Sequence, residues 1–277
     1  MTHLSNKYPR LTKSHKGVYP FKLSTTSYIY PDDYIPNIKM LGPFIDEIEL
    51  LLFESADIES LFPASVIGEL CRLATNFNLS YNVHLPTDIS ISDQGFSQRY
   101  PAADTYVRII EHLLPLNPST FSLHIPYKED NFENMTVKKW RDRVRLNLER
   151  LLRVEIDGDL LSIETMDYPI ELLEDVIEDF NLSICMDVGH LIRYGYDIAE
   201  LFNRFFSKIS IIHLHGVENN HDHLSLDRLP KGAIDPILRI LKRFGGTVSV
   251  EVFSYNDLSA SLQFLERCWK NFKSTEA

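Results

Sequence analysis

The chain has 277 residues, 44% hydrophobic and 24% charged, with 28 Lys and Arg against 39 Asp and Glu and a formal charge of −11. That balance suits a soluble domain with a sizeable core, and its sign excludes a nucleic-acid partner held by bulk charge. Cys71, Cys185 and Cys268 lack CxxC spacing, and no segment has a signal-peptide core or approaches the roughly 18 apolar residues of a membrane span, so free thiols, a cytoplasmic location and no membrane partner are expected.

Residues 1–17 carry four Lys or Arg and no acid, which predicts a flexible basic arm ahead of a single domain over 18–277. Eight short runs rich in Ile, Val, Leu and Phe follow: Phe21–Ser27, Glu47–Phe53, Leu79–Leu85, Thr120–Ile125, Leu160–Thr165, Leu182–Asp187, Ile209–His215 and Thr247–Phe253. Apolar on both faces, they read as parallel strands buried between layers.

Helical stripes lie between them. Val66, Leu70, Leu73 and Phe77 mark one, and Tyr106, Ile109, Ile110 and Leu113 the next. Val137, Trp140, Val144, Leu148, Leu151 and Leu152 mark the longest, with Thr136 as its expected cap. Pro169–Phe180 and Ile198–Phe206 follow; Asp235 and Pro236 open a helix that Gly245 can close, and Asp257 opens the last one. The first crossover, Pro31 to Phe44, holds three prolines and predicts only a short helix. Eight strands alternating with helices, and no glycine-rich phosphate loop, predict an α/β fold of the (β/α)8 TIM-barrel type.

In such a barrel the active site lies at the C-terminal ends of the strands. Strand one ends in Thr25, Thr26, Ser27 and Tyr28, neutral groups suited to substrate contact together with nearby Tyr30, Asp32 and Asp33. The other seven end in Glu54, His84, His124, Glu164, Asp187 (with His190 just beyond), His213 and Glu251. A single strand-end acid or imidazole ordinarily caps a helix or packs on a neighbour. Seven on one rim are another matter, because such groups are rarely buried without a partner. The stretch Ile211 to Leu226 adds His215, His221, Asp222 and His223, whereas His3 and His15 fall in the arm and His112 on a helix.

A convergent metal site supplies the missing partner. Its expected ligands are His84, His124, Glu164, Asp187, His190, His213, His221, His223 and Glu251, more than one zinc takes, so two or three divalent ions are expected. Zinc fits, as do manganese and iron. Glu164, Glu251 and His124 are the groups expected to carry the chemistry, with Glu54 and His215 contacting substrate or orienting ligands. Clustered metals suit phosphoester hydrolysis, since they clamp phosphoryl oxygens, acidify a water and stabilise the leaving oxygen.

The segments NVHLP, LHIP, IET, MDVGH, IHLHG and VEVF around these residues resemble the xylose-isomerase-like barrel superfamily, which includes endonuclease IV. In its sugar isomerases and epimerases the resemblance implies one metal on Glu164, Asp187, His213 and Glu251. Endonuclease IV implies further ligands at His84, His124, His190, His221 and His223, although His221 stands where a carboxylate is usual. A narrower resemblance lies in residues 23–55, LSTTSYIYPDDYIPNIKMLGPFIDEIELLLFES, which look like the amino-terminal signature of the cobamide-remodelling phosphodiesterases, with Ser24 in place of glycine. It implies hydrolysis of the phosphoribosyl linkage in the nucleotide loop of a cobamide. The alternatives are an abasic-site endonuclease, which calls for basic loops that the chain lacks, and a single-metal sugar isomerase or epimerase, which leaves His84 and His124 unexplained.

Overall fold

A computed structural model describes residues 7–55, 57–153 and 156–276. The chain alternates strands and helices: β1 (Lys22–Thr26), α1 (Tyr34–Leu41), β2 (Glu47–Leu51), α2 (Ile58–Leu61), α3 (Ala64–Phe77), β3 (Ser80–His84), α4 (Phe96–Leu113) and β4 (Phe121–Leu123). Then come α5 (Asn134–Leu151), β5 (Leu161–Glu164), α6 (Glu174–Asp179), β6 (Ser183–Asp187), α7 (Val188–Tyr194), α8 (Ile198–Phe205) and β7 (Ile209–Leu214). A hairpin of β8 (Gly216–Glu218) and β9 (His221–Leu224) precedes α9 (Ile234–Arg243), β10 (Thr247–Val250) and α10 (Tyr255–Glu276). The parallel strands close into a barrel in the order β1, β10, β7, β6, β5, β4, β3, β2. Each predicted strand is present, and the expected TIM barrel is the fold. The β8–β9 hairpin is not expected from the sequence, because its polar, histidine-rich stretch has no strand-like apolar run.

Side chains two apart on a strand share a face. Inside the barrel this stacks Ser122 under His124, Ser162 under Glu164, Asn82 under His84 and Ser249 under Glu251. Hydrogen bonds tie the lower layer together: Thr120 to Ser162, Ser162 to Ser210, and Asn82 to both Ser24 and Glu47. The apolar side chains lie mostly between barrel and helices, where fully buried Trp140 of α5 packs edge-on to Tyr127 and Tyr168 at 4.9 and 5.2 Å.

Several helix starts differ from expectation. The helix expected to be capped by Thr136 begins at Asn134, with Glu133 at the cap. The one expected at Asp235 begins at Ile234 and ends at Arg243, before Phe244 rather than at Gly245. For α10 the cap is Ser254, whose hydroxyl donates to the Asp257 carboxylate at 2.5 Å and accepts the Asp257 N–H at 3.1 Å.

The arm is also different. Residues 1–6 lie outside the described residues, but 7–17 lie against the barrel: Leu11 and His15 are buried, Tyr8 rests 5.0 Å from Tyr30, and the Tyr30 hydroxyl bonds the Pro9 carbonyl at 2.8 Å. His112 also has a structural role, its Nε2 meeting the Phe62 carbonyl at 2.6 Å. Among the described residues, no helix is long and apolar enough to cross a membrane.

Candidate metal centre

Glu164, at the end of β5, is the hub of the barrel mouth. Its Oε2 lies 3.1 Å from His84 Nε2, 3.1 Å from His124 Nε2 and 3.6 Å from His213 Nδ1, while Oε1 is 3.4 Å from His190 Nδ1. His213 Nδ1 in turn lies 3.2 Å from Glu251 and 3.9 Å from Asp187. Two ligand sets thus meet at Glu164. One is His84, His124 and Glu164, whose ligand atoms lie within 4.8 Å of one another; the other gathers Glu164, Asp187 and Glu251 around His213.

The donor set fits divalent ions. His84 presents the right nitrogen, because Nδ1 faces the Leu85 carbonyl at 2.9 Å and Nε2 is left toward Glu164. His124 Nε2, His213 Nδ1 and Glu251 Oε2 are buried with no aligned hydrogen-bond partner, though each has an oppositely charged neighbour nearby. Orphaned polar atoms of this kind are costly unless something binds them.

The charges agree. Burial pushes Glu164 upward, but His124, with hydrogen bonds from His190 and His84, holds it well below the usual carboxylate range. Glu251 is likewise held down to about 2, against burial, by His213 and His223. Burial opposes the charge on His84, yet Glu164, Glu49 and Glu251 raise it to about 9. Against burial, Asp187 and Glu164 raise His190 to about 10. Without metal, the cluster is therefore a set of carboxylates neutralised by protons on imidazoles, and those protons are what a divalent cation displaces.

Asp187 has two tasks. It caps α7 by accepting the His190 N–H at 2.7 Å, and its two oxygens lie 3.1 and 3.2 Å from His215 Nε2. His215 is buried and orients Asp187 rather than reaching solvent. Its ring lies against the backbone of Gly189, where a Cβ would stand 2.0 Å from His215 Cε1. Gly189→Ala is expected to push that ring off Asp187, to lower stability by about 1–3 kcal/mol and to weaken metal retention. Thermal melts and metal content of the purified variant check this; an unchanged melt and full metal content would refute it.

The other predicted residues separate clearly. Thr25 and Thr26 are buried, their hydroxyls bonded to the carbonyls of Val250 and Val252 at 2.8 and 2.9 Å, and the Ser27 hydroxyl accepts the Leu51 N–H at 3.1 Å. They stitch the barrel wall, leaving Tyr28, 46% exposed, as the group of the four that faces solvent. Glu54 is exposed on the rim. Of the two buried acids in β2, Glu47 and Glu49, it is Glu49 that meets the centre, although absent from the predicted set: it accepts from Ser249 and its Oε1 lies 3.1 Å from His213 Nε2, though not aligned for a hydrogen bond. His223, half-buried on the hairpin, has Nδ1 3.3 Å from the Glu251 carbonyl and 3.7 Å from its carboxylate. His221 is exposed, and it is Asp222 that comes within 4.0 Å of His190 Nε2.

Comparison with solved structures shows the same fold. A D-tagatose 3-epimerase-like protein matches with a TM-score of 0.76 at 19% identity, over 93% of this chain and 100% of that one. Endonuclease IV from Thermus thermophilus matches with a TM-score of 0.70 at 14% identity, over 90% and 99%. IolI, solved with a bound zinc atom, matches with a TM-score of 0.66 at 14% identity, over 91% and 96%. No curated protein sequence matches the chain. The family model described as xylose isomerase-like TIM barrel matches residues 44–268, most of the chain, and the protein belongs to that family.

Proposed function

We propose that the protein is a metal-dependent phosphodiesterase that hydrolyses the phosphoribosyl linkage in the nucleotide loop of a cobamide, in the cytoplasm, for corrinoid salvage. The observation that carries the metal chemistry is the pair of imidazoles, His84 and His124, each 3.1 Å from the Glu164 Oε2 that also faces His213 at 3.6 Å. They turn a four-group site into two sites sharing one carboxylate. Bound there, two ions, zinc first and manganese or iron next, supply Lewis acidity toward the phosphoryl and leaving oxygens and lower the pKa of a water. The chain's own part is to bring the two ligand sets together at Glu164, to orient His84 through the Leu85 carbonyl and Asp187 through His215, and to close the floor with buried Glu49, which accepts from Ser249.

The substrate assignment rests on residues 23–55, whose sequence resembles the cobamide-remodelling enzymes. The surface above the centre supports it. Exposed Tyr28 and Phe53 touch at 5.0 Å, Phe53 and Phe253 at 6.2 Å, and Phe253 lies 5.0 Å from His223. Such an open aromatic rim suits the flat rings of a large, amide-rich ligand. The net charge of −11 disfavours DNA. The three cysteines are free, as suits a reducing compartment.

The test is incubation of metal-replete protein with adenosylcobalamin, separation of the corrinoid products, and abasic-site DNA assayed beside it. Release of the nucleotide-loop fragment, lost in His124→Ala, is the expected result. Intact cobalamin with nicked DNA would overturn the substrate. A second reading, a single-metal sugar epimerase, is favoured by the grouping of Glu164, Asp187 and Glu251 around His213, and one bound ion per chain with neither substrate cleaved would select it.

A further inference from the structure

Beside the two ligand sets lies a third cluster, in which ring nitrogens of His190, His215 and His223 come within 4.8 Å of one another. It has the makings of another ion site, but two of its features argue against one. His215 has no nitrogen to spare: Nε2 faces Asp187 at 3.1 Å, and Nδ1 accepts the His223 backbone N–H at 3.0 Å. The hairpin holds His223 in this place with a left-handed backbone, φ 54°, close above the His215 ring at 4.3 Å between centroids. That leaves His190 and His223, which need an anionic third ligand.

Glu164 and Asp187 face His190 Nδ1 at 3.4 and 3.5 Å and Glu251 faces His223 Nδ1 at 3.7 Å, all of them members of the ligand sets already described. The further acid, on the Nε2 side of His190, is Asp222 at 4.0 Å, and it is already taken by a hydrogen-bonded ion pair with Arg193. Arg193 follows His190 by three residues on α7, so both side chains leave the same face of the helix. The pair is mostly buried, with side-chain exposures of 26% and 21%. Arg193 Nε is itself buried with no hydrogen-bond partner. A guanidinium keeps its charge at any working pH, and it repels a divalent cation a few ångströms away in a partly dry site. His221, the hairpin's remaining candidate ligand, is exposed.

We propose that the centre is built for two metal ions, and that the third corner, bounded by His190, His223 and Asp222, is closed to an ion by the Arg193 guanidinium, which provides fixed positive charge there instead. The proposal rests on the metal reading above. Arg193 is a positioning residue, holding the Asp222 carboxylate in an ion pair and the hairpin against α7.

Metal counting tests it without reference to turnover. Wild type, Arg193→Met, Arg193→Lys and His223→Ala would be saturated with zinc, desalted, and analysed for zinc per chain by mass spectrometry, with circular dichroism confirming the fold. Two ions are expected in wild type, three in Arg193→Met, where Asp222 is released, and two again in Arg193→Lys, which restores the charge. His223→Ala is expected to stay at two and decides the matter should Arg193→Met fail to fold. Three ions in wild type, two in folded Arg193→Met, or a loss of one ion in His223→Ala would each overturn the proposal. One ion or none in wild type would instead remove the two-metal reading beneath it.

Discussion

Glu164→Gln is expected to lower metal content from two ions to at most one and to reduce kcat/KM for cobamide hydrolysis by about a thousandfold, near 4 kcal/mol of transition-state stabilisation. The substitution keeps shape and removes charge. Oε2 of Glu164 lies within 3.6 Å of His84, His124 and His213 together, so its negative charge belongs to both ligand sets. An amide there offers at best one neutral oxygen, and its NH2 group faces imidazole nitrogens that must themselves present lone pairs to a metal. Because the side chain is buried and the replacement isosteric, the fold should persist, and a near-native circular dichroism spectrum separates loss of metal from loss of structure. His124→Ala should act in the same direction but retain the ion around His213. Normal metal content in Glu164→Gln, or activity within tenfold of wild type, would show that Glu164 does not join the two sets.

Much of this centre is legible in the sequence because a TIM barrel converts strand ends into a ring. Once the eight apolar runs are placed, His84, His124, Glu164, Asp187, His213 and Glu251 fall on one rim without further information, and the structure brings these six together. The misses have physical causes. Glu49 escapes a reading of strand ends, which lands on Glu54 beyond the end of β2; the signal available is alternation, since Glu47 and Glu49 are two charges on one face of an otherwise apolar strand. Thr25, Thr26 and Ser27 are at the rim, but their short side chains reach neighbouring backbone groups before they reach the mouth. The hairpin that carries His223 depends on Gly216, where a Cβ would meet the Ser225 carbonyl at 2.0 Å, a tertiary contact that no local pattern announces. The packing of residues 7–17 is similar: a stretch with few apolar residues is held by Leu11, Tyr8 and His15 meeting partners far along the chain.

Metal affinity is expected to climb steeply with pH between about 6.5 and 9, while the metal-free protein behaves in the opposite way. In the metal-free fold His84 is raised from an ordinary 6.5 to about 9, with Glu164 and its neighbours overcoming burial. A group raised on folding contributes stability that is complete below its unfolded value and is lost as pH rises through its folded one. Glu251, depressed from 4.5 to about 2, contributes stability that is complete above 4.5 and disappears only as pH falls through 2. The metal-free protein should therefore be most stable between about 4.5 and 6.5 and soften toward pH 9. Metal binding has the reverse sign, because His84 and His213, the latter also raised well above 6.5, must each lose a proton before they can ligate. Each such proton makes affinity change about tenfold per pH unit, so two together make it roughly a hundredfold per unit until His84 is neutral. Chelator competition for zinc at pH 6.5, 7.5 and 8.5 measures the slope, and thermal melts of apo and loaded protein at the same pH values should diverge as pH rises. A flat affinity profile would mean that the imidazoles are already neutral before the metal arrives. The paired carboxylates would then be unscreened in the empty barrel, and the apo protein would have to be least stable in the very pH range where the imidazolium-filled cluster makes it most stable.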